Sequence, residues 1–178
     1  MNWFKHATCD LCRYKTSFTK AYFLIPGFKY MFYIRLFDVT PSFLRPLVKL
    51  KILLMQRRYG IQIPWGMKIG KGFYIGHFGT IIVNGSAVIG ENVNISQSVT
   101  IGQTNIGGGK SLYPIIGDRV YIAPGAKIIG GVTIGDDVAI GANAVVTKDI
   151  PSHTTAVGIP AKVISEKGSA NYINNKYE

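Results

Sequence analysis

The 178-residue sequence is poor in acidic residues: it has nine Asp and Glu residues against 20 Lys and Arg residues, for a formal net charge of +11. Such an imbalance indicates an anionic partner, such as a nucleic acid, a membrane surface, a polyanionic sugar or a phosphate-rich cofactor. Composition alone does not choose among these four. With 47% hydrophobic and 16% charged residues the chain can nevertheless bury a core, which excludes a disordered tail.

Cysteine and histidine are also scarce. The two cysteines, Cys9 and Cys12, stand in CDLC, and no second pair is present to complete a four-cysteine zinc site. We interpret them as plain thiols in a helix, which fits a reducing compartment. The three histidines, His6, His77 and His153, lie in contexts unsuited to a shared zinc ion, so no metal is expected.

The sequence lacks a long uninterrupted apolar run. Its most apolar early segment, AYFLIPGFKYMFYI, is interrupted by Pro26, Gly27 and Lys29 and falls short of the roughly 20 apolar residues that span a bilayer. The opening residues also lack the continuous apolar segment of a secretory signal. We therefore expect a cytoplasmic protein, with peripheral contact at the inner face of the membrane left open.

The cations are concentrated in residues 1–60, which hold eleven Lys or Arg and two acids, so this segment carries 11 − 2 = +9 of the net charge. Two or three helices are expected here, the last near residues 47–59. Arg57 and Arg58 suit the final turn of that helix, and Gly60 suits its end. We therefore predict that residues 1–60 form a basic helical region.

From Gly60 onward, Ile or Val recurs every sixth residue, with a two-residue slip after residue 75 and a longer break after residue 101. Six residues make one short strand and one tight turn, whereas a helix repeats every 3.6 residues and a simple strand every two. Gly, Asn and Asp between the apolar positions supply the positive φ angles of such turns. Stacked coils bury each other's apolar side, so the period predicts a β-helix over residues 61–165, followed by a tail over 166–178. The main ladder is Ile63, Ile69, Ile75, Val83, Ile89, Ile95, Ile101, Ile116, Ile122, Ile128, Ile134, Ile140 and Val146.

The hexads IGENVN, IGDRVY, IGDDVA and IGANAV, with the terminal VVTKDIPSHTTAVGIPAKVI, resemble the hexapeptide-repeat acyltransferases. Within that family, GFYIGHFGTIIVNGSAVIGENVNISQSVTIGQT is similar to the serine acetyltransferase branch, which includes polysaccharide O-acetyltransferases of the colanic acid and capsule type. The resemblance covers residues 60–165. It implies a mainly β fold, a left-handed parallel β-helix after a short helical region. It also implies a homotrimer with active sites between subunits and acetyl-CoA as the acyl donor.

His77, the single imidazole of GFYIGHFGTIIVNG, matches the general base of this branch. A neutral imidazole can take the proton that a hydroxyl loses as it attacks a thioester. The resemblance also makes Gly79 a candidate oxyanion donor and puts Asn94 and Tyr113 in the neighbourhood of the site. A histidine in a turn can be inert, but the two-residue slip directly after His77 favours an outward-facing catalytic side chain.

The longest break in the repeat, QTNIGGGKSLYP, spans residues 103–114 and departs from serine acetyltransferases. Those enzymes carry DRHP near the end of this loop, whereas this chain has Leu112, Tyr113 and Pro114. Two aspartates of that branch are replaced by Gln62 and Gly76, which leaves Gln62 or a backbone carbonyl to orient His77. Because burying a carboxylate without a cation is costly, we expect a sugar hydroxyl of a polysaccharide or glycan precursor as the acceptor, with serine as the alternative.

The resemblance further implies a groove for CoA along the β-helix. The pantetheine arm needs small residues where backbone approaches it closely, and lysines can meet the CoA phosphates. Ordinary solvated surface is the competing interpretation of these lysines. The matching positions are Pro124, Gly125, Gly141, Ala142, Lys148 and Lys162.

Three other classes are disfavoured. The carbonic anhydrase form of this fold needs three zinc-binding histidines, and we interpret His153 as structural. GGGKS is not a phosphate-binding loop, because Thr104 stands where that motif needs glycine. A scaffold or a nucleic-acid binder would not need the GH insertion, and no nucleic-acid motif accompanies the charge.

Overall fold

Four helices open the part of the chain that the structure, a computed structural model, describes: residues 3–105 and 109–177. They are α1 (Trp3–Cys12), α2 (Phe18–Leu24), α3 (Pro26–Val39) and α4 (Arg45–Tyr59). The sequence predicted two or three helices here, and that number was too low. The predicted last helix corresponds to α4, which begins two residues earlier than expected.

The ends of the helices follow from local chemistry. The Ser17 side chain accepts a hydrogen bond from the Lys20 backbone N–H and caps α2. Pro26 stands in the first turn of α3, where its missing N–H costs nothing. Gly60 ends α4 in the left-handed region at φ 67°, and its N–H donates to the Gln56 carbonyl.

Short strands of two to four residues follow α4. In chain order they are β1 (Ile61–Gln62), β2 (Tyr74–Ile75), β3 (Ile81–Val83), β4 (Val88–Ile89), β5 (Asn94–Ile95), β6 (Thr100–Gly102), β7 (Thr104–Asn105), β8 (Ser111–Leu112), β9 (Ile115–Ile116), β10 (Tyr121–Ile122), β11 (Lys127–Ile129), β12 (Thr133–Ile134), β13 (Ala139–Ile140), β14 (Val145–Val146), β15 (Thr155–Val157) and β16 (Lys162–Ser165).

These strands form three parallel sheets that the chain visits in a fixed rotation. Sheet A is β1-β3-β6-β11-β14, sheet B is β4-β9-β12, and sheet C is β2-β5-β10-β13-β15 with β16 added antiparallel. The pair β7–β8 forms a separate antiparallel hairpin in the long loop. Residues 106–108, the middle of that predicted loop, lie outside the described residues. The architecture is a parallel β-helix preceded by a helical region, as the six-residue period predicted.

The core of the β-helix is the predicted ladder. The Ile and Val residues named above from Ile63 to Val146 are all buried, and equivalent residues stack in register. In sheet C, for example, Ile75 pairs with Ile95, Ile95 with Ile122, and Ile122 with Ile140. Each coil therefore covers the apolar side of its neighbour.

The helical region caps the first coils through buried polar contacts. The Asp10 carboxylate accepts hydrogen bonds from Arg35 Nε at 3.0 Å and from the Phe73 backbone N–H at 2.9 Å. Arg35 also donates to the Ile69 carbonyl at 2.7 Å, and Tyr30 donates to the Ile63 carbonyl at 2.8 Å. The two regions therefore share one polar and apolar interface.

The segment after β16 packs along one edge of the β-helix and returns to α1. Ser169 Oγ donates to the Arg119 carbonyl, and Asn92 exchanges two hydrogen bonds with the Tyr177 backbone. Arg13 Nε, in the turn directly after α1, donates to the Asn174 carbonyl at 3.2 Å. We call residues 168–177 the C-terminal strap. Among the described residues, no helix is both long enough and apolar enough to cross a bilayer.

Candidate functional site

His77 lies in an enlarged turn between sheet C and sheet A. Eight residues separate Ile75 from Val83, whereas six separate the equivalent Ile95 and Ile101 of the next coil. The two additional residues leave both His77 and Phe78 exposed to solvent. Gly79, two residues on, has φ 118°, which a side chain would strain. The slip in the repeat therefore presents an imidazole outside the apolar core.

Beside His77 is a cavity of about 300 Å³. Asn94 of β5 and Ser96, directly after β5, contribute to its wall, and the C-terminal strap supplies Tyr172 and Asn174. A volume at the low end of the range for ligand sites suits a small molecule better than a long polymer. The sequence had placed Asn94 in the site, and the structure brings it into the same cavity as His77.

Arg13, in the turn directly after α1, is the cation of this wall, and sequence reasoning missed it. Its side chain is buried, and it donates to the Gly72 carbonyl, to Asn94 Oδ1 and to the Asn174 carbonyl. A guanidinium has five N–H donors, so these three bonds leave 5 − 3 = 2 donors. Burial lowers the pKa of Arg13, but an arginine so held stays charged near neutral pH.

Aromatic rings complete the cavity. Tyr121 of β10 and Tyr172 of the strap are stacked with ring centroids 4.9 Å apart. The Arg13 guanidinium lies 5.6 Å from the centroid of Tyr74. Such stacking fixes rings without consuming their hydroxyl groups. The strap was predicted only as a tail, and no sequence signal connected it to His77.

Several predicted residues share one edge of the β-helix, the corner between sheets C and A. Pro124 and Gly125 form this corner between β10 and β11, and Gly141 and Ala142 form it between β13 and β14. His77 occupies the same corner, two coils from Pro124 and three coils from Gly141, which corresponds to about 10 Å and about 14 Å at the usual strand spacing. The structure therefore aligns the predicted base with four of the predicted CoA positions.

Packing already explains the two glycines on this edge. A Cβ on Gly125 would clash with Asn143 Oδ1, and a Cβ on Gly141 would lie 2.6 Å from Val157 Cγ1. Lys162, at the start of β16, and Lys148, beyond β14, are both exposed. Lys148 lies between sheets A and B, so it does not share the edge with the other predicted positions.

Other predicted residues lie apart from the cavity. Gln62 is exposed on β1 of sheet A, where it pairs with Ile82, and within the described residues neither Gln62 nor His77 makes a side-chain hydrogen bond. Tyr113 is half-buried after β8, and it does not line the cavity. The roles assigned to Gln62, Gly79 and Tyr113 stay predictions.

His153, Cys9 and Cys12 do not come together in a common metal site in the part of the chain that the structure describes. His153 is exposed, with Nδ1 3.6 Å from Asp137 Oδ2, and Cys9 and Cys12 are free thiols on α1. In residues 3–105 and 109–177 there is no group of three His, Cys, Asp or Glu side chains that could hold a metal ion. Lys110 of the GGGKS segment is exposed, and Gly107 and Gly108 lie outside the described residues.

Comparisons with known proteins identify the repeat. Residues 113–148 match the family model described as bacterial transferase hexapeptide (six repeats). A serine acetyltransferase of Staphylococcus epidermidis is 46% identical over 109 residues, which are 61% of this chain and 51% of that protein. One of Staphylococcus aureus is 45% identical over the same length. The chain spans about half the length of these curated relatives.

Solved structures agree with this placement over more of the chain. Soybean serine acetyltransferase, as the apoenzyme, has a TM-score of 0.78 and 33% identity over 91% of this chain and 69% of that chain. A serine acetyltransferase in complex with CoA has a TM-score of 0.77 and 26% identity over the same shares. The helical region is therefore part of the likeness as well as the repeat.

These comparisons correct the expected acceptor. The relatives and structural neighbours are serine acetyltransferases, so the interpretation as a polysaccharide O-acetyltransferase was wrong. That interpretation looked for a cation only in the loop over residues 103–114 and did not consider the turn after α1, which brings Arg13 to the cavity. From the matched repeats and the shared fold, the chain belongs to the hexapeptide-repeat acyltransferase family.

Proposed function

We propose that this chain transfers an acetyl group from acetyl-CoA to the hydroxyl group of L-serine. The observation that carries the proposal is a small cavity lined by both an exposed imidazole, His77, and a buried cation, Arg13. An acceptor with a hydroxyl and a carboxylate needs both groups. L-Serine is such an acceptor, and it is the one named in the relatives.

In the proposed reaction, His77 is the general base. Its neutral imidazole takes the proton of the serine hydroxyl as the oxygen attacks the thioester carbonyl. The tetrahedral intermediate collapses, the C–S bond breaks, and the imidazolium returns its proton to the CoA sulfur. The Gly79 backbone N–H is the proposed donor to the oxyanion. The products are O-acetylserine and free CoA thiol.

Arg13 is proposed to bind the acceptor carboxylate with its two remaining donors. This role replaces the cation that serine acetyltransferases carry on the loop, where this chain has Leu112. A charge-assisted hydrogen bond is about twice as strong as a neutral one, and it is strengthened by a wall that excludes water. Asn94 and Asn174, on either side of Arg13, hold the guanidinium in place.

The donor is proposed to lie along the corner between sheets C and A, with its thioester at His77. The small residues Gly125 and Ala142 leave room for the pantetheine arm there, and exposed Lys162 can contact a CoA phosphate.

We further propose that the β-helix is left-handed and that the protein is a homotrimer in which a neighbouring subunit closes this edge. We also propose that the chain divides into a helical region, residues 1–60, and an acyltransferase domain, residues 61–165.

The test is thiol release from acetyl-CoA by the full chain with L-serine, L-serinamide and simple sugars as acceptors. We expect release with L-serine and much less with L-serinamide, which keeps the hydroxyl but lacks the carboxylate. Absence of release with L-serine would refute the proposal. Equal rates with serine and serinamide would remove Arg13 from carboxylate binding while leaving acetyl transfer intact.

The Arg13→Lys variant tests whether Arg13 is the cation that binds the acceptor carboxylate. It keeps a positive charge but loses the planar fork, so we expect the KM for L-serine to rise about tenfold with a smaller change in kcat. The KM for acetyl-CoA should not change. A thermal unfolding curve for the variant is needed, because Arg13 also joins the turn after α1 to the strap.

A further inference from the structure

The solvent-facing side of α4 is apolar along its length. Leu47, Leu50 and Leu54 are 65%, 55% and 53% exposed, and they lie three and four residues apart, so they share one face of the helix. Ile52 and Met55, on the opposite face, are buried against the rest of the protein. We call these three exposed leucines the α4 stripe.

Cations border the α4 stripe on both sides. At 100° per residue, Arg57 lies on one side of the leucines, and Lys51 and Arg58 lie on the other. All three are exposed, and α4 contains no acidic residue. Residues 1–60 together carry a net charge of 11 − 2 = +9. The stripe is therefore an apolar band within a strongly positive field.

An apolar groove continues the stripe at the start of α4. The end of α3 and the turn before α4 supply Leu36, Val39 and Leu44, and α4 supplies Leu47 and Val48, around a cavity of about 390 Å³. Phe43, in the same turn, is 77% exposed. The described part of the chain thus leaves several large apolar side chains in water on one side of the helical region.

We propose that the α4 stripe binds an anionic phospholipid surface. Leucines on one face, flanked by Lys and Arg, are the composition of helices that lie in the plane of a membrane interface. The leucines would enter the region between headgroups and acyl chains, and Lys51, Arg57 and Arg58 would meet lipid phosphates. A two-fold contact of this face with the same face of a second copy would bring two positive surfaces together, and like charges at close range oppose that contact. The proposal does not rest on the acetyltransferase function.

The experiment is co-sedimentation of the full chain with vesicles. One set is phosphatidylcholine alone, and the other contains about a quarter phosphatidylserine, which gives a negative surface. We expect sedimentation with the second set alone, and its loss at high salt because salt screens surface charge. Sedimentation with neither set would overturn the proposal.

Two variants locate the contact. Leu50→Ser with Leu54→Ser should weaken vesicle binding about tenfold or more, because two exposed leucines no longer enter the lipid. Arg57→Gln with Arg58→Gln should weaken it about 25-fold, at roughly a factor of five for each cation. The side chains of all four residues are exposed to solvent, so we expect both variants to keep the fold. Circular dichroism can confirm this.

Two control variants replace an exposed apolar residue and an exposed cation that lie outside α4. Ile164→Ser removes an exposed apolar side chain from β16, and Lys167→Gln removes an exposed cation beyond it. Neither should alter vesicle binding. If the α4 variants bind like the wild type, the stripe is not the contact and the proposal is wrong. The same conclusion follows if the leucine variant lowers the oligomer mass in sedimentation velocity without vesicles, because a second copy then covers the stripe.

Discussion

The helical region and the β-helix bury different chemistry. Ile, Val and Ala at equivalent positions dominate the interior of the β-helix, whereas the helical region buries large and varied side chains such as Phe28, Tyr30 and Met31. Within residues 3–105 and 109–177, the ionisable side chains of Asp, Glu, Lys and Arg that are buried are those of Asp10, Arg13 and Arg35, and all three come from the helical region. The coils of the repeat bury similar residues against one another, whereas the helical region that caps them must bind the first coils in particular.

Because of this difference, the two regions are stabilised by different kinds of contact. Each β-helix coil contributes a similar apolar contact with its neighbours. The helical region, which caps these coils, instead depends on a few hydrogen bonds with the backbone of the first coils: Arg35 donates to the Ile69 carbonyl, and the Phe73 backbone N–H donates to the Asp10 carboxylate. We therefore expect single substitutions in the cap to have larger effects on stability than single substitutions in the ladder.

The largest expected effect is on activity and lies in the β-helix, at His77. His77→Asn removes the proposed general base, so turnover should fall about 10²–10⁴-fold. The unfolding temperature should not change, because the His77 side chain is exposed and makes no hydrogen bond within the described residues. His153→Asn is the matched control, since His153 is also an exposed turn histidine and should keep full activity. Normal turnover of the His77 variant would exclude it as the base.

The largest expected effect on stability lies in the cap. Asp10→Asn keeps the shape of the side chain but leaves Arg35 without its buried anion, which should lower the free energy of unfolding by about 3–5 kcal/mol. Asp38→Asn is the control on the same helices, because Asp38 is half-buried and makes no ion pair within the described residues. Chemical denaturation measures both. Equal effects of the two variants would mean that the Asp10–Arg35 pair has no special role.

A single position of the ladder should matter less. Ile122→Val removes one buried methyl group between Ile95 and Ile140, and we expect a loss of about 0.5–1.5 kcal/mol. The same denaturation experiment measures it beside Asp10→Asn. A loss larger than that of the Asp10 variant would reverse the proposed contrast between cap and ladder.

The smallest effect concerns a surface ion pair at a corner of the β-helix. Hydrogen bonds from the Arg119 guanidinium, at 2.8 and 2.9 Å, lower the pKa of Asp137 below its ordinary value. A carboxylate with a lowered folded-state pKa adds stability above its unfolded-state pKa of about 3.9, and this stability is lost as the pH falls through the lower folded-state value.

Asp137→Asn should therefore reduce stability by about 1 kcal/mol or less near neutral pH, and the variant and wild type should converge in strong acid. Asn tolerates the positive φ of 55° at this position, so the comparison isolates the charge. Thermal unfolding across the acid range measures it. A difference that grows with acidity would contradict the sign.

The sequence predicted the parts of the molecule that depend on local pattern. The ladder from Ile63 to Val146 and the end of α4 at Gly60 follow from spacing and turn chemistry, and so does the exposed position of His77 after the slip. The wall of the cavity did not follow, because Arg13 and Asn174 meet across 161 residues of sequence. The spacing of residues along the sequence cannot predict a contact between such distant residues. For that reason Arg13 was missed as the cation of the site, and a sugar was wrongly assigned as the acceptor.

The C-terminal strap has a consequence for biosynthesis. During translation α1 leaves the ribosome early, whereas Asn174 and Tyr172 leave more than 150 residues later, after every coil of the β-helix. The β-helix can therefore wind while the chain is still growing, but the cavity beside His77 acquires its last wall only after the strap is released. A nascent chain stalled before residue 168 would display a formed repeat and an unfinished site.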